Sequence, residues 1–360
     1  MARIDLAGVQ HSYGSVEALE KFDLTWEDGG RYAILGPSGC GKTTMLNIMS
    51  GIIKPTQGRI TFDGKDVTDL QTAERNIAQV FQFPVIYGTM RVWDNLAFPL
   101  VCRNVPKAQI KTKVEEVAET LSLTHLLDRR ANKLTADQKQ LISLGRGLVR
   151  DDVAAVLMDE PLTVIDPDLK FRLRRKLKEI NERYRTTLIY VTHDQNEAMT
   201  FAEKIMVMDK GRIVQMGTPG ELFDRPSTTF VGYFIGAPAM NVFPATVKKA
   251  HQLDVGGQAV TVEPSLQGLD GSGGETLMLG VRAEHIALQS GAKSADNCLP
   301  FSVDRVDDFG NYKLVVGQSS GQLTKVKVDR NQVIESGEMF MTFKTENCCV
   351  YANEQLVTGD

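Results

Sequence analysis

The sequence predicts an α/β domain built on a parallel sheet, followed by a small all-β barrel, and three observations carry that reading. The stretch Gly36-Pro37-Ser38-Gly39-Cys40-Gly41-Lys42-Thr43 fits GxxxxGK[ST] at every fixed position, between the apolar run Tyr32-Ala33-Ile34-Leu35 and the helix-compatible Met45-Leu46-Asn47-Ile48-Met49. A continuous apolar run from Val153 to Met158 ends in Asp159-Glu160-Pro161, as expected of a central parallel strand buried on both faces. Near Ile235-Gly236-Ala237-Pro238 the alternation of strands and helices gives way to short alternating segments separated by glycine clusters. At 360 residues the chain is longer than one core usually organises, which agrees with a division into residues 1–235 and 236–360.

The glycine loop is the centre of the chemistry. Glycines let backbone N–H groups turn inward around an anion, and the helix that follows adds the positive end of its dipole. Lys42 is then placed to reach the β- and γ-phosphates of a nucleotide, and the Thr43 hydroxyl to bind Mg²⁺.

Bulk properties narrow the class. Apolar content of 42% and charged content of 24% are those of an ordinary globular protein, and a net charge of −4 gives no global footprint for nucleic acid. No apolar run approaches the roughly 20 residues that cross a bilayer, and Met-Ala-Arg-Ile-Asp-Leu has no signal-peptide core, so synthesis in the cytosol is expected. The five cysteines, Cys40, Cys102, Cys298, Cys348 and Cys349, fit neither a disulfide framework nor a zinc site and read as reduced thiols.

In chain order, residues 4–26 alternate as edge strands, with Tyr13 between them as an ordinary strand aromatic or a ring that stacks on a base. Arg59 to Gly64 reads as a short strand and hairpin, and Ile77 to Gln82 as a strand whose last side chain either reaches a metal or water at the phosphates or does nothing there. Helical spacing covers 107–128, a second helix opens at Leu134-Thr135-Ala136-Asp137-Gln138, and Asn132-Lys133 fails as a guanine-reading NKxD because Thr135 stands fourth. Asp159 suits a metal held through water, and Glu160 suits a base that accepts a proton from an attacking water. A helix over 168–184 precedes the strand Thr187 to Val191. His193, just beyond it, is a loop cap or a γ-phosphate contact. A hairpin spans Ile205 to Val214 and a helix starts near Pro219. The barrel strands are Ala259–Val262, Leu277–Val281, Phe301–Val306, Tyr312–Val316, Leu323–Val328 and Met339–Phe343, with a flexible loop from Gly268 to Gly274.

The phosphate loop, Gln82, the Leu134 to Gln140 helix start, Asp159-Glu160 and His193, in this order, resemble the ATP-binding cassette (ABC) ATPases over residues 1 to about 235. The resemblance implies a P-loop NTPase fold with ATP and Mg²⁺ as ligands. It makes Tyr13 the adenine-stacking ring, Gly36 through Thr44 the phosphate cradle, and Gln82 the Q-loop sensor and a metal partner with Thr43 and Asp159. Glu160 becomes the base, Asp166 the D-loop acid, and His193 the switch histidine. Phe234 to Asn241 and Gly280-Val281-Arg282-Ala283-Glu284-His285 resemble markers of maltose-type importer ATPases, whose C-terminal domain is an OB-like barrel; proline is usual where Ala283 stands. That likeness implies two permease subunits, an external solute-binding protein acting indirectly, no nucleic acid, and attachment to the cytoplasmic face of the membrane. By the same likeness the surface from Gln82 to Thr89 receives a permease coupling helix.

Two departures stand out against that family. Its signature normally reads Leu-Ser-Gly-Gly-Gln and binds the γ-phosphate held by the opposite subunit, and this chain has Leu134-Thr135-Ala136-Asp137-Gln138. Thr135 keeps a hydroxyl, while Asp137 brings a carboxylate towards a polyanion; Asp137 is also a good helix N-cap residue. The D-loop, Thr163-Val164-Ile165-Asp166-Pro167, replaces a small polar segment. The expectation is therefore an ATPase of a sugar, polyol, glycerol or glycerol phosphate importer, glycerol preferred, working in a heterodimer with a second, non-identical ATPase subunit. The alternatives are a non-transport ABC ATPase of translation or DNA repair, and a binding-only regulatory subunit.

Overall fold

The computed structural model describes residues 2–150, 152–163, 165–269, 275–291, 297–334 and 337–358. Val164 of the D-loop and residues 270–274 of the expected flexible loop lie outside them. Contacts divide the chain into two units, residues 1–219 and 220–360.

In the first unit, β1 (Ile4–Tyr13) and β2 (Val16–Trp26) pair antiparallel, and β3 (Arg31–Leu35) leads through the glycine loop into α1 (Lys42–Ser50). Then come β4 (Gln57–Phe62), β5 (Lys65–Asp66), β6 (Ala78–Val80), α2 (Val92–Val101), α3 (Lys107–Thr120) and α4 (Ala136–Leu148). The chain continues with β7 (Val156–Asp159), α5 (Pro167–Tyr184), β8 (Leu188–Thr192), α6 (Gln195–Phe201), β9 (Lys204–Asp209) and β10 (Arg212–Gly217). A four-stranded antiparallel sheet has the order β2-β1-β4-β5, and a six-stranded sheet has the order β10-β9-β3-β8-β7-β6. Within the latter β9, β3, β8, β7 and β6 are parallel, and β3, β7 and β8 are buried almost throughout, which is why they read as unbroken apolar runs. Ile34, Leu157, Ile189 and Val191 pack one face of that sheet against α1 and the antiparallel sheet; Val80, Val156, Met158 and Tyr190 pack the other against α2 and α4.

The helical spacing over 107–128 resolves into α3 alone plus a 3₁₀ turn at Thr124–Leu126, because Ser122 takes a left-handed backbone (φ 58°) that ends the helix. Helix α2, absent from the sequence reading, contains Pro99.

The second unit begins inside α7 (Pro219–Asp224), followed by α8 (Thr229–Phe234), and is otherwise β structure. One antiparallel sheet orders β13 (Gln258–Thr261), β12 (Gln252–Val255), β11 (Asn241–Lys249), β14 (Leu277–Val281), β20 (Cys348–Ala352) and β21 (Gln355–Leu356). The other orders β15 (Ala287–Gln289), β19 (Glu338–Thr342), β16 (Cys298–Asp308), β17 (Tyr312–Ser319) and β18 (Gln322–Asp329). Both close on one core that includes Phe243, Leu279, Phe301, Val315 and Met341. The five cysteines are free thiols, and burial pushes that of Cys348 up to about 12.

Arg282 ties α7 and α8 to this core. It is 3% exposed, donates to the carbonyls of Phe223 (2.9 Å), Gly232 (2.8 Å) and Ile235, and lies 4.4 Å from the Phe223 ring centroid. A side chain at Gly236 (φ 109°) would meet its guanidinium at 2.8 Å, so glycine is required there. Arg282→Met takes a donor from three carbonyls, of which Gly232 keeps the Met240 N–H at 3.2 Å, and is expected to destabilise the second unit by roughly 3 kcal/mol, read as faster hydrogen exchange in α8 and β14.

Candidate functional site

Four strand ends create the site. Register places Leu35 beside Thr192, Asp159 beside Val191 and Val80 beside Met158, so the C-terminal ends of β3, β8, β7 and β6 lie along one edge of the sheet. This is where open α/β sheets bind ligands. The segments that leave those ends carry the glycine loop, His193, Glu160 and Gln82.

The loop owes its shape to glycine. Gly39 and Gly41 have φ of 81° and 104°, and a Cβ on Gly41 would sit 2.7 Å from the Ala18 carbonyl oxygen. Gly41 caps α1 with no side chain, leaving the first N–H groups of the helix directed at the cleft. Lys42 is 6% exposed, and its Nζ donates to the carbonyls of Gly36 and Pro37, 2.8 Å each. Burial raises the Cys40 thiol, so it takes no part as an anion.

At the end of β7, Asp159 is 8% exposed. Burial raises its carboxyl above the usual range, the Thr43 hydroxyl bond opposes this, the charge of Glu160 adds to it and Lys42 opposes it. Glu160 follows in a left-handed backbone (φ 44°), which a non-glycine residue adopts at a cost. Its N–H is fixed to the Val191 carbonyl at 2.9 Å. Glu160 Oε1 lies 3.0 Å from His193 Nδ1, and Oε2 accepts from Gln82 Nε2 at 3.3 Å and from Thr163 Oγ1 at 3.4 Å.

Tyr13, Ser38, Gly39, Gly41, Lys42, Thr43, Thr44, Gln82, Glu160 and His193 thus line one cleft of ≈ 630 Å³. Ala18 and Thr163 line it too; Ala18 was missed from the sequence, and Thr163 was read only as part of the D-loop, although its place three residues after Glu160, in one turn, signals a contact with that residue. Tyr13 is 51% exposed, with its ring set edge-on to His11 at 4.5 Å. A face open to solvent beside the phosphate loop fits a stacked base, so Tyr13→Ala is expected to raise the KM for ATP about tenfold with kcat unchanged, measured by steady-state hydrolysis.

Asp166, Thr135, Asp137 and Gln138 do not line this cleft, and neither do Gly36, Pro37, Cys40 and Asp159, of which Gly36, Pro37 and Asp159 touch it through Lys42 and Thr43. Asp166 caps α5 by accepting from the Asp168 N–H at 3.0 Å. Thr135, not Asp137, caps α4: Thr135 and Gln138 form a capping box, and Asp137 stands at the second helical position, where it accepts the Thr135 hydroxyl proton. The N-cap reading of Asp137 is corrected by the extended backbone of Thr135 (φ −69°, ψ 166°), which ends the preceding turn one residue before Ala136.

For a divalent cation the site offers the Asp159 carboxylate, the Thr43 hydroxyl and the Gln82 amide, an oxygen donor set that suits a hard metal and leaves positions for phosphate oxygens and water. Among the described residues no helix is long and apolar enough to cross a membrane.

The family model described as ABC transporter matches residues 19–163, and that described as MalK OB fold domain matches 236–286. The sn-glycerol-3-phosphate import ATP-binding protein UgpC of Bordetella avium is 37% identical over 337 residues, covering 93% of this chain and 91% of the relative. Its namesake in Cereibacter sphaeroides is 44% identical over 286 residues, 79% of each. Among solved structures, cbiO1 from Clostridium perfringens, described as part of the ABC transporter complex cbiONQ, has a TM-score of 0.57 at 27% identity over 62% of this chain and 90% of its own. An ATP-binding cassette of an ABC transporter in its ADP conformation has a TM-score of 0.55 at 25% identity over 64% of this chain and 98% of its own. Likeness over 79 to 91% of the length of such relatives, together with the two matching family models, shows that the chain belongs to the ATP-binding subunits of ABC importers, ATPases of the maltose and carbohydrate importer type.

Proposed function

We propose that this chain hydrolyses ATP on the cytoplasmic face of a membrane to drive uptake of a small polyol or its phosphate, beside a second, non-identical ATP-binding subunit. The observation that carries the hydrolytic reading is Glu160, held between His193, Gln82 and Thr163 at the mouth of the phosphate loop. Adenine stacks on Tyr13, and the triphosphate follows the loop N–H groups and the start of α1. Lys42 exchanges its loop carbonyls for phosphate oxygens, a stronger, charge-assisted bond. Glu160 accepts the proton of the attacking water, and His193 holds the carboxylate in place and faces the γ-phosphate. Thr43, Asp159 and Gln82 would hold Mg²⁺, which when bound offsets charge on the β- and γ-phosphates. Intact Glu160 and His193 argue against a binding-only subunit.

The substrate class rests on relatives named for sn-glycerol-3-phosphate import, and the polyol glycerol belongs to the same class. The unequal pair rests on Asp137: it puts a negative charge on the helix start that, in the family, serves the opposite nucleotide, and it occupies the proton of Thr135. Purification of the tagged chain from membranes is expected to bring down two permeases and a different cassette subunit, and proteoliposomes of that complex to accumulate glycerol or glycerol phosphate with ATP. Recovery of identical cassettes only would overturn the unequal pair, and uptake of neither solute would overturn the substrate class.

A further inference from the structure

Behind His193 lies a buried polar cluster that the hydrolytic site does not use directly. Glu197, 5% exposed, points back from α6 under the end of β8. Its Oε2 accepts from Tyr190 Oη at 2.8 Å and Thr192 Oγ1 at 2.9 Å, while its Oε1 faces Lys170 Nζ at 3.2 Å and Arg174 Nη1 at 3.8 Å, both on α5. The same Thr192 hydroxyl accepts the Asp194 N–H at 3.0 Å. The residues on either side of His193 are therefore clamped through one hydroxyl whose proton direction Glu197 dictates. Asp194 completes the clamp by capping α6 with bonds to the N–H groups of Asn196 and Glu197, 2.8 and 3.4 Å.

We infer that Glu197 is a positioning residue for hydrolysis: through Thr192 it fixes the backbone of His193 and so the contact between His193 and Glu160, and through Lys170 and Arg174 it makes that contact depend on the placement of α5. A carboxylate this buried is held at both oxygens: Oε2 accepts two hydroxyl bonds, and Oε1, which accepts no hydrogen bond, is held by the charges of Lys170 and Arg174, so the group resists rotation. His193, in contrast, is 56% exposed in its side chain and has the Glu160 carboxylate, 3.0 Å from Nδ1, as its described side-chain partner, so its aim depends on its backbone. Moving a reacting group by a fraction of an ångström is enough to lower a rate substantially.

The inference rests on the proposed role of His193, and the test separates the two. In the full chain assembled with its permeases, Glu197→Gln and Thr192→Val are each expected to lower kcat about 10- to 100-fold. The KM for ATP stays within about twofold, since neither residue lines the cleft. Put into a His193→Gln background, Glu197→Gln is expected to cost less than a further twofold, because it acts through that ring. Imidazole nitrogen resonances of the five histidines give a second readout: His193 shifts in both variants, while His11, His125, His251 and His285 do not. An equal loss in both backgrounds, or an unmoved His193 resonance, overturns the positioning role. If His193→Gln alone leaves turnover unchanged, the hydrolytic role of His193 falls instead, and the resonances still decide whether Glu197 sets its ring.

Discussion

Glu160→Gln is expected to lower ATP turnover by about 10²- to 10⁴-fold and to leave ATP affinity within about twofold. The amide preserves shape and still accepts from Thr163, so the turn that places the residue is kept. What is lost is the ability to take a proton, together with the charge that holds His193 at 3.0 Å. The left-handed backbone of Glu160 supports the reading of a placed base: φ of 44° carries strain, and the structure fixes it through the N–H bond to Val191 and the Thr163 hydroxyl on the Glu160 carbonyl. Strain held by two backbone anchors aims the side chain across the phosphate loop, where an extended residue continuing β7 would bury it. The measurement is single-turnover hydrolysis in the assembled transporter alongside binding of a fluorescent ATP analogue. A fall in turnover of less than threefold would remove Glu160 as the base. In the proposed unequal pair, the same substitution in a second cassette subunit should cost little, since the competent site would pair this chain's Glu160 with that subunit's signature; equal losses from both would sink the unequal pair.

What the sequence revealed and what it hid follow from how local each feature is. The glycine loop is legible because its residue types answer to its own backbone, and Asp159, Glu160 and His193 because unbroken apolar runs mark buried parallel strands whose ends hold ligands. Helix α2 was hidden because Pro99 near its C-terminal end reads as a break. Strand β11 was hidden for a similar reason: Pro244 interrupts its pattern, and it is tolerated because β12 pairs with β11 only from Thr246 onward, so Pro244 has a neighbouring strand on the β14 side alone. Glu197 looks in sequence like the polar face of a short helix. Its burial is set by Tyr190 and Thr192 from one strand and by Lys170 and Arg174 from a helix more than twenty residues away, which no local pattern reports. The cap of α4 failed at the level of a single residue: Thr135 and Asp137 are both good caps by type, and the Thr135-x-x-Gln138 spacing of a capping box, which favours Thr135, went unread.

That decision leads to the second large effect. Asp137→Gly is expected to raise ATP hydrolysis by pairs made of this chain alone about 10- to 100-fold. With Thr135 as the cap, Asp137 is free of any duty to close the helix; it lies on the first turn of α4, where an anionic ligand would approach, and holds the Thr135 hydroxyl proton. A unit charge at ~5 Å from a phosphate charge with an effective dielectric of ~20 costs roughly 3 kcal/mol, about two decades in a binding constant. Against this, an acid in the first turn favours the helix dipole and glycine disfavours helix, together about 1 to 2 kcal/mol of α4 stability. The electrostatic gain at the nucleotide exceeds that loss, so activity should rise even as α4 loosens. Asp137→Asn separates the two ways in which the carboxylate interferes, since it removes the charge and can still accept the Thr135 proton. Recovery with Asn equal to that with Gly assigns the effect to charge, and recovery with Gly alone assigns it to capture of the hydroxyl. No recovery with either would mean that this helix start is no weaker than its partner's, and the case for an unequal pair would lose its physical basis.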